Sequence, residues 1–202
     1  MNRVFESKKL INLEVFTTTI DSVDNEKILD ELNRHGSSVD KKYIDSYLDG
    51  NNHTYYEDRK FPKSSPECLR LRNEIESTVS SFLGKKMKIT EIWSLTLNKG
   101  ESVSAHSHRS NTHMDPSEYY SIAYYPSAPA DCSKLIFDVS WCNAIENLVH
   151  ITPITGMLVL FNSYIKHFTD RHQIDTSRVV VSANLCPEEP NKTPMPDWSA
   201  YD

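Results

Sequence analysis

Hydrophobic positions follow a helical period in the first part of the chain and a strand period from about residue 88 onward. Between Asp24 and Arg34, Ile28, Leu29 and Leu32 share one helix face, and Gly36 follows as a left-handed stop. A longer helix is predicted from about Pro66 to Leu83, because Cys68, Leu71, Ile75, Val79 and Phe82 recur at steps of three and four. Ser65 stands where a capping side chain belongs, Pro66 suits the first helical position, and Gly84 suits a left-handed end. One face of this helix is expected to lie on a flat surface. Residues 50–63 read as a long loop; an ordinary connector is the first reading, and a lid carrying Tyr55 and Tyr56 is the second.

After residue 88, Ile89, Glu91, Trp93, Leu95 and Leu97 alternate with Thr90, Ile92, Ser94 and Thr96, the period of a strand. Further strands are predicted at 119–125, 134–139, 148–152, 157–162 and 177–185, with Gly100, Pro126, Pro129, Pro153 and Gly156 between them. Short strands at steady spacing point to a sandwich or jelly-roll barrel, and helices preceding strands make the chain α+β. The expected organisation is a single domain overall. Residues 1–87 form a helical region packed on the barrel, 88–186 the jelly-roll core and 187–202 a proline-rich tail. The stretch from Cys186 onward, with prolines at 187, 190, 194 and 196, is expected to run extended over the surface.

Composition narrows the choice of partner. The chain has 202 residues, 38% of them hydrophobic, and its 28 acidic and 22 basic side chains leave a net charge of −6. A core is within reach, but a phosphate backbone is a poor partner for such a surface, so nucleic acid is not expected. No apolar run approaches the ~18 residues of a membrane span, and the N-terminus lacks the apolar stretch of a signal peptide. A cytoplasmic protein is expected. The cysteines at 68, 132, 142 and 186 form no C-x-x-C pair and read as free thiols, mostly in the core.

Three features carry chemistry. His106 and His108 flank Ser107, and on an extended chain residues two apart point the same way, so both imidazoles would enter one cavity. His167 follows the apolar strand Met157–Phe161, and Arg178 opens the last strand eleven residues later. A close pair of ligands and one distant ligand form a facial triad that leaves the remaining positions of an iron open for substrate and oxygen. An arginine nearby would clamp a carboxylate bidentately. An H-x-H pair by itself is weak, with two unremarkable histidines as its plain reading.

Taken together, these blocks resemble the Fe(II)- and 2-oxoglutarate-dependent dioxygenases, in particular the small hydroxylases of marine bacteria and phages. The resemblance spans roughly residues 60–186: the helix leading to Trp93, Gly100, His106-Ser107-His108, Ser121 through Pro126, Ile151 through Phe161, His167, and Arg178 through Asn184. It implies a double-stranded β-helix, the jelly-roll relative of cupins. Fe(II) would be held by His106, His108 and His167, and 2-oxoglutarate would chelate it and send its distal carboxylate to Arg178. Tyr125 would be a second partner of that carboxylate, with Ser121 on the same strand face. Oxygen would convert the keto acid to succinate and CO₂ as a small molecule or amino-acid side chain is hydroxylated.

The sequence departs from that family at one ligand. Most members have His-x-Asp or His-x-Glu where this chain has His106-Ser107-His108. It also holds His113-Met114-Asp115, so His113 and Asp115 form an alternative pair that would relegate His106 and His108 to supporting roles. Three imidazoles also suit a three-histidine cupin dioxygenase that uses no keto acid, although Arg178 would then lack a purpose. A non-catalytic jelly-roll binding module is the third reading. Of the other histidines, His150 is expected in the core or at a sheet edge, and His172, in a polar turn, exposed to solvent. Trp93 reads as a barrel-wall residue that packs near the cosubstrate or simply in the core.

Overall fold

A computed structural model of the chain describes residues 14–35, 61–62, 64–108, 118–139 and 148–189. The elements are β1 (Val15–Thr19), α1 (Asn25–His35), α2 (Pro66–Leu83), β2 (Met87–Leu97), β3 (Tyr120–Ser127), β4 (Leu135–Asp138), β5 (Leu148–Ile151), β6 (Met157–Asn162), β7 (Lys166–Thr169) and β8 (Arg178–Pro187). The strands form a five-stranded antiparallel sheet in the order β1-β6-β3-β8-β2 and a three-stranded antiparallel sheet in the order β5-β4-β7. This is an α+β, jelly-roll type of architecture.

Both helices lie on the outer face of the large sheet. Asp24 caps α1, its Oδ1 accepting the Lys27 N–H at 3.2 Å. Tyr124 on β3 reaches out to Asn25 Oδ1 at 2.6 Å and so fixes the start of α1 against the sheet. Helix α2 buries Cys68, Leu71, Ile75 and Val79 and ends at Gly84, whose φ of 66° is the left-handed conformation that glycine adopts without a steric cost. Those side chains pack with Ile28 and Leu32 of α1 onto Ile92, Ile122, Leu160, Val181, Ala183 and Leu185 of the sheet. Each such fully buried aliphatic side chain contributes about 1.5–3 kcal/mol of transfer free energy. The inner face of the large sheet packs instead on the small sheet through a second cluster that includes Leu97, Tyr125, Phe137, Phe161 and Val180.

Several sequence expectations need correction. Ser65 occupies the cap position of α2 but makes no capping hydrogen bond, and Phe82 lies outside the buried face, 55% exposed beside Phe16. The region read as helical also supplies β1, an edge strand with a run of exposed threonines in place of alternation. Strand β7 is four residues long, too short to declare itself by pattern. Cys186 and Pro187 complete β8 and do not begin a tail. Most consequential is β2: a bulge between Ile89 and Glu91 breaks its alternation. Ile89 therefore joins the helix-side core, and Glu91 falls in phase with Trp93 and Leu95 on the inner face. Residues 50–60 (with Tyr55 and Tyr56), His113, Asp115, Cys142 and the chain beyond 189 lie outside the described residues.

Candidate metal and anion site

The inner face of the large sheet and the small sheet enclose a cavity of roughly 750 Å³, counting its open mouth. Its lining includes Trp93, His106, His108, Tyr125, His167 and Arg178. The segment carrying His106 and His108 is held by β7. His106 and His167 sit directly opposite each other, exchanging N–H···O bonds of 3.0 and 2.8 Å, and the His108 N–H donates to Ser163 O at 2.8 Å. A pair that exchanges both backbone bonds projects its side chains to the same side of the sheet. Pairing of a short extended segment with β7, and not a full strand, thus brings the two distant histidine blocks together. The ring centroids are 4.4 Å apart for His106 and His167, 5.1 Å for His108 and His167, and 5.2 Å for His106 and His108.

One potential ligand atom from each of the three histidines lies within 4.8 Å of the others. Every Nδ1 already has an acceptor: Ser104 O at 2.8 Å for His106, Asn184 Oδ1 at 2.7 Å for His108, and Ile165 O at 2.9 Å for His167. Placing the proton on Nδ1 leaves the lone pair on Nε2, the state in which an imidazole ligates a metal. His108 Nε2 is buried with no hydrogen-bond partner among the described residues. Burial lowers the pKa of all three rings, His108 to about 4, and for His167 the neighbouring histidines add to the effect. Three neutral donors converging with their lone pairs free fit a divalent cation.

Arg178 sits in the same cavity, 2% exposed. Its Nη1 donates to Ser133 Oγ at 2.9 Å and its Nη2 to the Tyr125 hydroxyl at 3.2 Å, and its guanidinium carbon lies 4.9 Å from the centroid of the Tyr125 ring. Nε has no hydrogen-bond partner among the described residues. Among the described residues no carboxylate pairs with it, so a buried cation is balanced only by neutral oxygens, an arrangement that favours a bound anion. Burial pushes the Tyr125 hydroxyl's pKa upward against the opposing pull of Arg178, which keeps the phenol protonated and able to donate to such an anion.

Of the residues singled out by sequence, the structure brings His106, His108, His167, Arg178 and Tyr125 into one cavity, with Trp93 5.3 Å from the His108 ring. Ser121 is elsewhere: fully buried behind His108, its Oγ lies 3.1 Å from His108 Nδ1, 2.8 Å from Asn184 Oδ1 and 2.7 Å from Ser163 Oγ, and it does not bond Arg178. His172 is not solvated but fully buried, its Nδ1 accepting the Ser133 N–H at 3.3 Å and its Nε2–H donating to Thr176 O at 2.8 Å. It therefore braces the serine that holds Arg178. His150 is exposed on the edge strand β5. Sequence reasoning gave no role to Asn184, Ser133 or Ser163. Only Asn184 had a usable signal, because it shares the period-two face of Arg178 on β8.

The sequence matches no family model and no curated protein. Solved structures do match the fold. HygX from Streptomyces hygroscopicus, crystallised with nickel and 2-oxoglutarate, is 13% identical with a TM-score of 0.63, covering 87% of this chain and 84% of its own. The non-heme alpha-ketoglutarate-dependent carbocyclase SnoK from nogalamycin biosynthesis is 10% identical with a TM-score of 0.64, covering 94% and 85%. A prolyl-4-hydroxylase from Pseudomonas putida is 12% identical with a TM-score of 0.61, covering 87% and 94%. The fold of this chain is that of the non-heme iron, 2-oxoglutarate-dependent oxygenases.

Proposed function

We propose that the protein is an Fe(II)- and 2-oxoglutarate-dependent oxygenase, most simply a cytoplasmic hydroxylase of a small molecule or an amino-acid side chain. The observation that carries this reading is the coexistence, in one cavity, of three imidazoles whose Nδ1 atoms are already bonded and a buried arginine with no anionic partner among the described residues. His106, His108 and His167 would hold the metal, and Arg178 with Tyr125 would receive the distal carboxylate of the keto acid. HygX binds nickel and 2-oxoglutarate on the same fold, which supports carrying this pair of ligands over.

Bound there, the iron and the keto acid would supply the oxidising chemistry, with oxygen consumed and succinate and CO₂ released. The chain's own contribution is positioning. Backbone carbonyls of Ser104 and Ile165 fix the tautomers of His106 and His167, and Asn184 that of His108. Ser133 and Tyr125 aim the guanidinium. Trp93, Phe161 and Val180 exclude water around the ligands, which strengthens every polar contact inside.

An all-histidine triad with no carboxylate among the described residues also favours a second reading, a three-histidine dioxygenase that needs no keto acid. Anaerobic titration with Fe(II) and 2-oxoglutarate separates the two. The oxygenase should develop the weak visible charge-transfer band of a chelated keto acid on Fe(II), absent in His167→Ala. Bound iron with no band at saturating 2-oxoglutarate would remove the keto acid and leave the second reading.

A further inference from the structure

Behind His108 lies a polar chain that leads out of the cavity to a carboxylate. The His108 Nδ1–H points at Asn184 Oδ1, 2.7 Å away, and Asn184 Nδ2 donates to Glu91 Oε2, also at 2.7 Å. The Ser121 hydroxyl donates to the same Asn184 Oδ1 at 2.8 Å, leaving its oxygen, 3.1 Å from His108 Nδ1, able to accept from the same Nδ1–H, and Ser163 stands 2.7 Å behind Ser121. A carboxylate only accepts, so Glu91 requires the NH₂ end of the Asn184 amide. The oxygen end must then face His108, and an oxygen only accepts, so His108 carries its proton on Nδ1 and presents a bare Nε2 to the cavity. Each step follows from donor and acceptor chemistry.

The bulge in β2 makes this chain possible. Ile89 pairs with Leu185 and Glu91 with Asn184, so Thr90 is the extra residue. With regular alternation Thr90 would face Asn184, and Glu91 would turn into the aliphatic core under the helices. The bulge places an acidic side chain opposite an inward-facing amide, two hydrogen bonds from His108.

We propose that Glu91, acting through Asn184, is a positioning element that fixes the tautomer of His108 and strengthens it as a metal ligand, lending a neutral imidazole part of the negative charge of a carboxylate. The proposal rests on His108 being a ligand, as in the reading above. It makes Asn184 and Glu91 positioning residues, not ligands. Partners of ligating histidines of this kind typically alter metal affinity by about 10–100-fold.

Two measurements test it. Long-range ¹H–¹⁵N spectra of the metal-free protein at neutral pH report which nitrogen of His108 bears the proton, and calorimetric titration with Ni(II) reports affinity. In the wild type His108 should be the Nδ1–H tautomer. Asn184→Leu should populate the other tautomer and weaken Ni(II) binding by roughly 10–100-fold, and Glu91→Ala should do both to a smaller degree. The exchange Glu91→Gln with Asn184→Asp keeps an acceptor facing His108 and should return affinity to within about threefold of wild type. Glu91 is exposed, so its variant reports even if Asn184→Leu does not fold. An Nε2–H tautomer in the wild type, or an unchanged tautomer and affinity in Glu91→Ala, would overturn the proposal. If the wild type binds no Ni(II) while Glu91→Ala still shifts the tautomer, the control of His108 by Glu91 stands and the metal reading fails.

Discussion

Strand β8 sends Val179, Val181, Ala183 and Leu185 to one side of the large sheet and Arg178, Val180, Ser182 and Asn184 to the other. The first set meets α1 and α2 and is wholly apolar, as are its neighbours Leu158, Leu160 and Ile122. The second set shares its face with Ser121, Tyr125 and the histidine cluster. On the outer side free energy comes from area removed from water, and shape tolerance is small. On the inner side polar groups are buried, and nearly every one has a specific partner. Two inner-face atoms without a partner among the described residues are informative: His108 Nε2 and Arg178 Nε both belong to residues that line the cavity. One face holds the structure together, and the other keeps bonding capacity in reserve for ligands.

The strongest way to break this contrast is on the outer face. Ile75 is fully buried between α2 and the sheet, so Ile75→Ala should lower stability by about 2–5 kcal/mol in urea unfolding while leaving Ni(II) affinity of the folded protein unchanged. Between pH 7.5 and 5, above the carboxylate range, acid should act mainly on the inner face. Burial depresses the histidine pKa values in the folded metal-free protein, His108 to about 4 from an ordinary 6.5. Below about 6.5 the unfolded chain binds more protons, so stability is complete above that pH and declines as pH falls towards 4, with about 3 kcal/mol from His108. About 2 kcal/mol of this is lost by pH 5, so urea midpoints of chelator-treated protein at pH 7.5 and 5 should differ by at least that much, and His108→Phe should reduce the difference.

Smaller effects sharpen the comparison. Tyr125→Phe removes the acceptor of Arg178 Nη2 without changing the ring, and should weaken 2-oxoglutarate binding by about fivefold, or roughly 1 kcal/mol, in a calorimetric titration. Arg178→Met should have the least effect on stability. Replacing a buried charge that has no ionic partner by an apolar side chain is often neutral or stabilising, so its thermal midpoint should equal or exceed that of the wild type. A large loss there would mean that the arginine serves the fold more than a ligand.

The outer face was the more legible in the sequence. The faces of α2, β3, β6 and β8 follow from simple periods, because burial against one neighbouring layer imposes a 3.6- or two-residue repeat. The exceptions have local causes: β1 is a half-covered edge, β7 is very short, and the bulge at Thr90 shifts phase without any mark in composition. On the inner face, paired histidines, a distal histidine and an arginine stand out as residue types. Their partners do not. Asn184 meets Glu91 across 93 residues and Ser121 across 63, and Arg178 meets Ser133 across 45. Such contacts depend on which distant strands pair, and no pattern within one segment encodes that. His172 misled for the same reason, since a polar turn reads as solvated until the fold tucks it beneath Ser133.

The central claim is that metal and anion subsites share one cavity and act together. It is tested most directly by titrating 2-oxoglutarate into the protein with and without Ni(II), in the wild type and in Arg178→Met. 2-Oxoglutarate should bind tightly only to the metal-loaded wild type, and loss of either the metal or the arginine should weaken binding at least about a hundredfold, the scale of a broken buried charge pair. Equal affinity with and without metal, or full affinity in Arg178→Met, would contradict it.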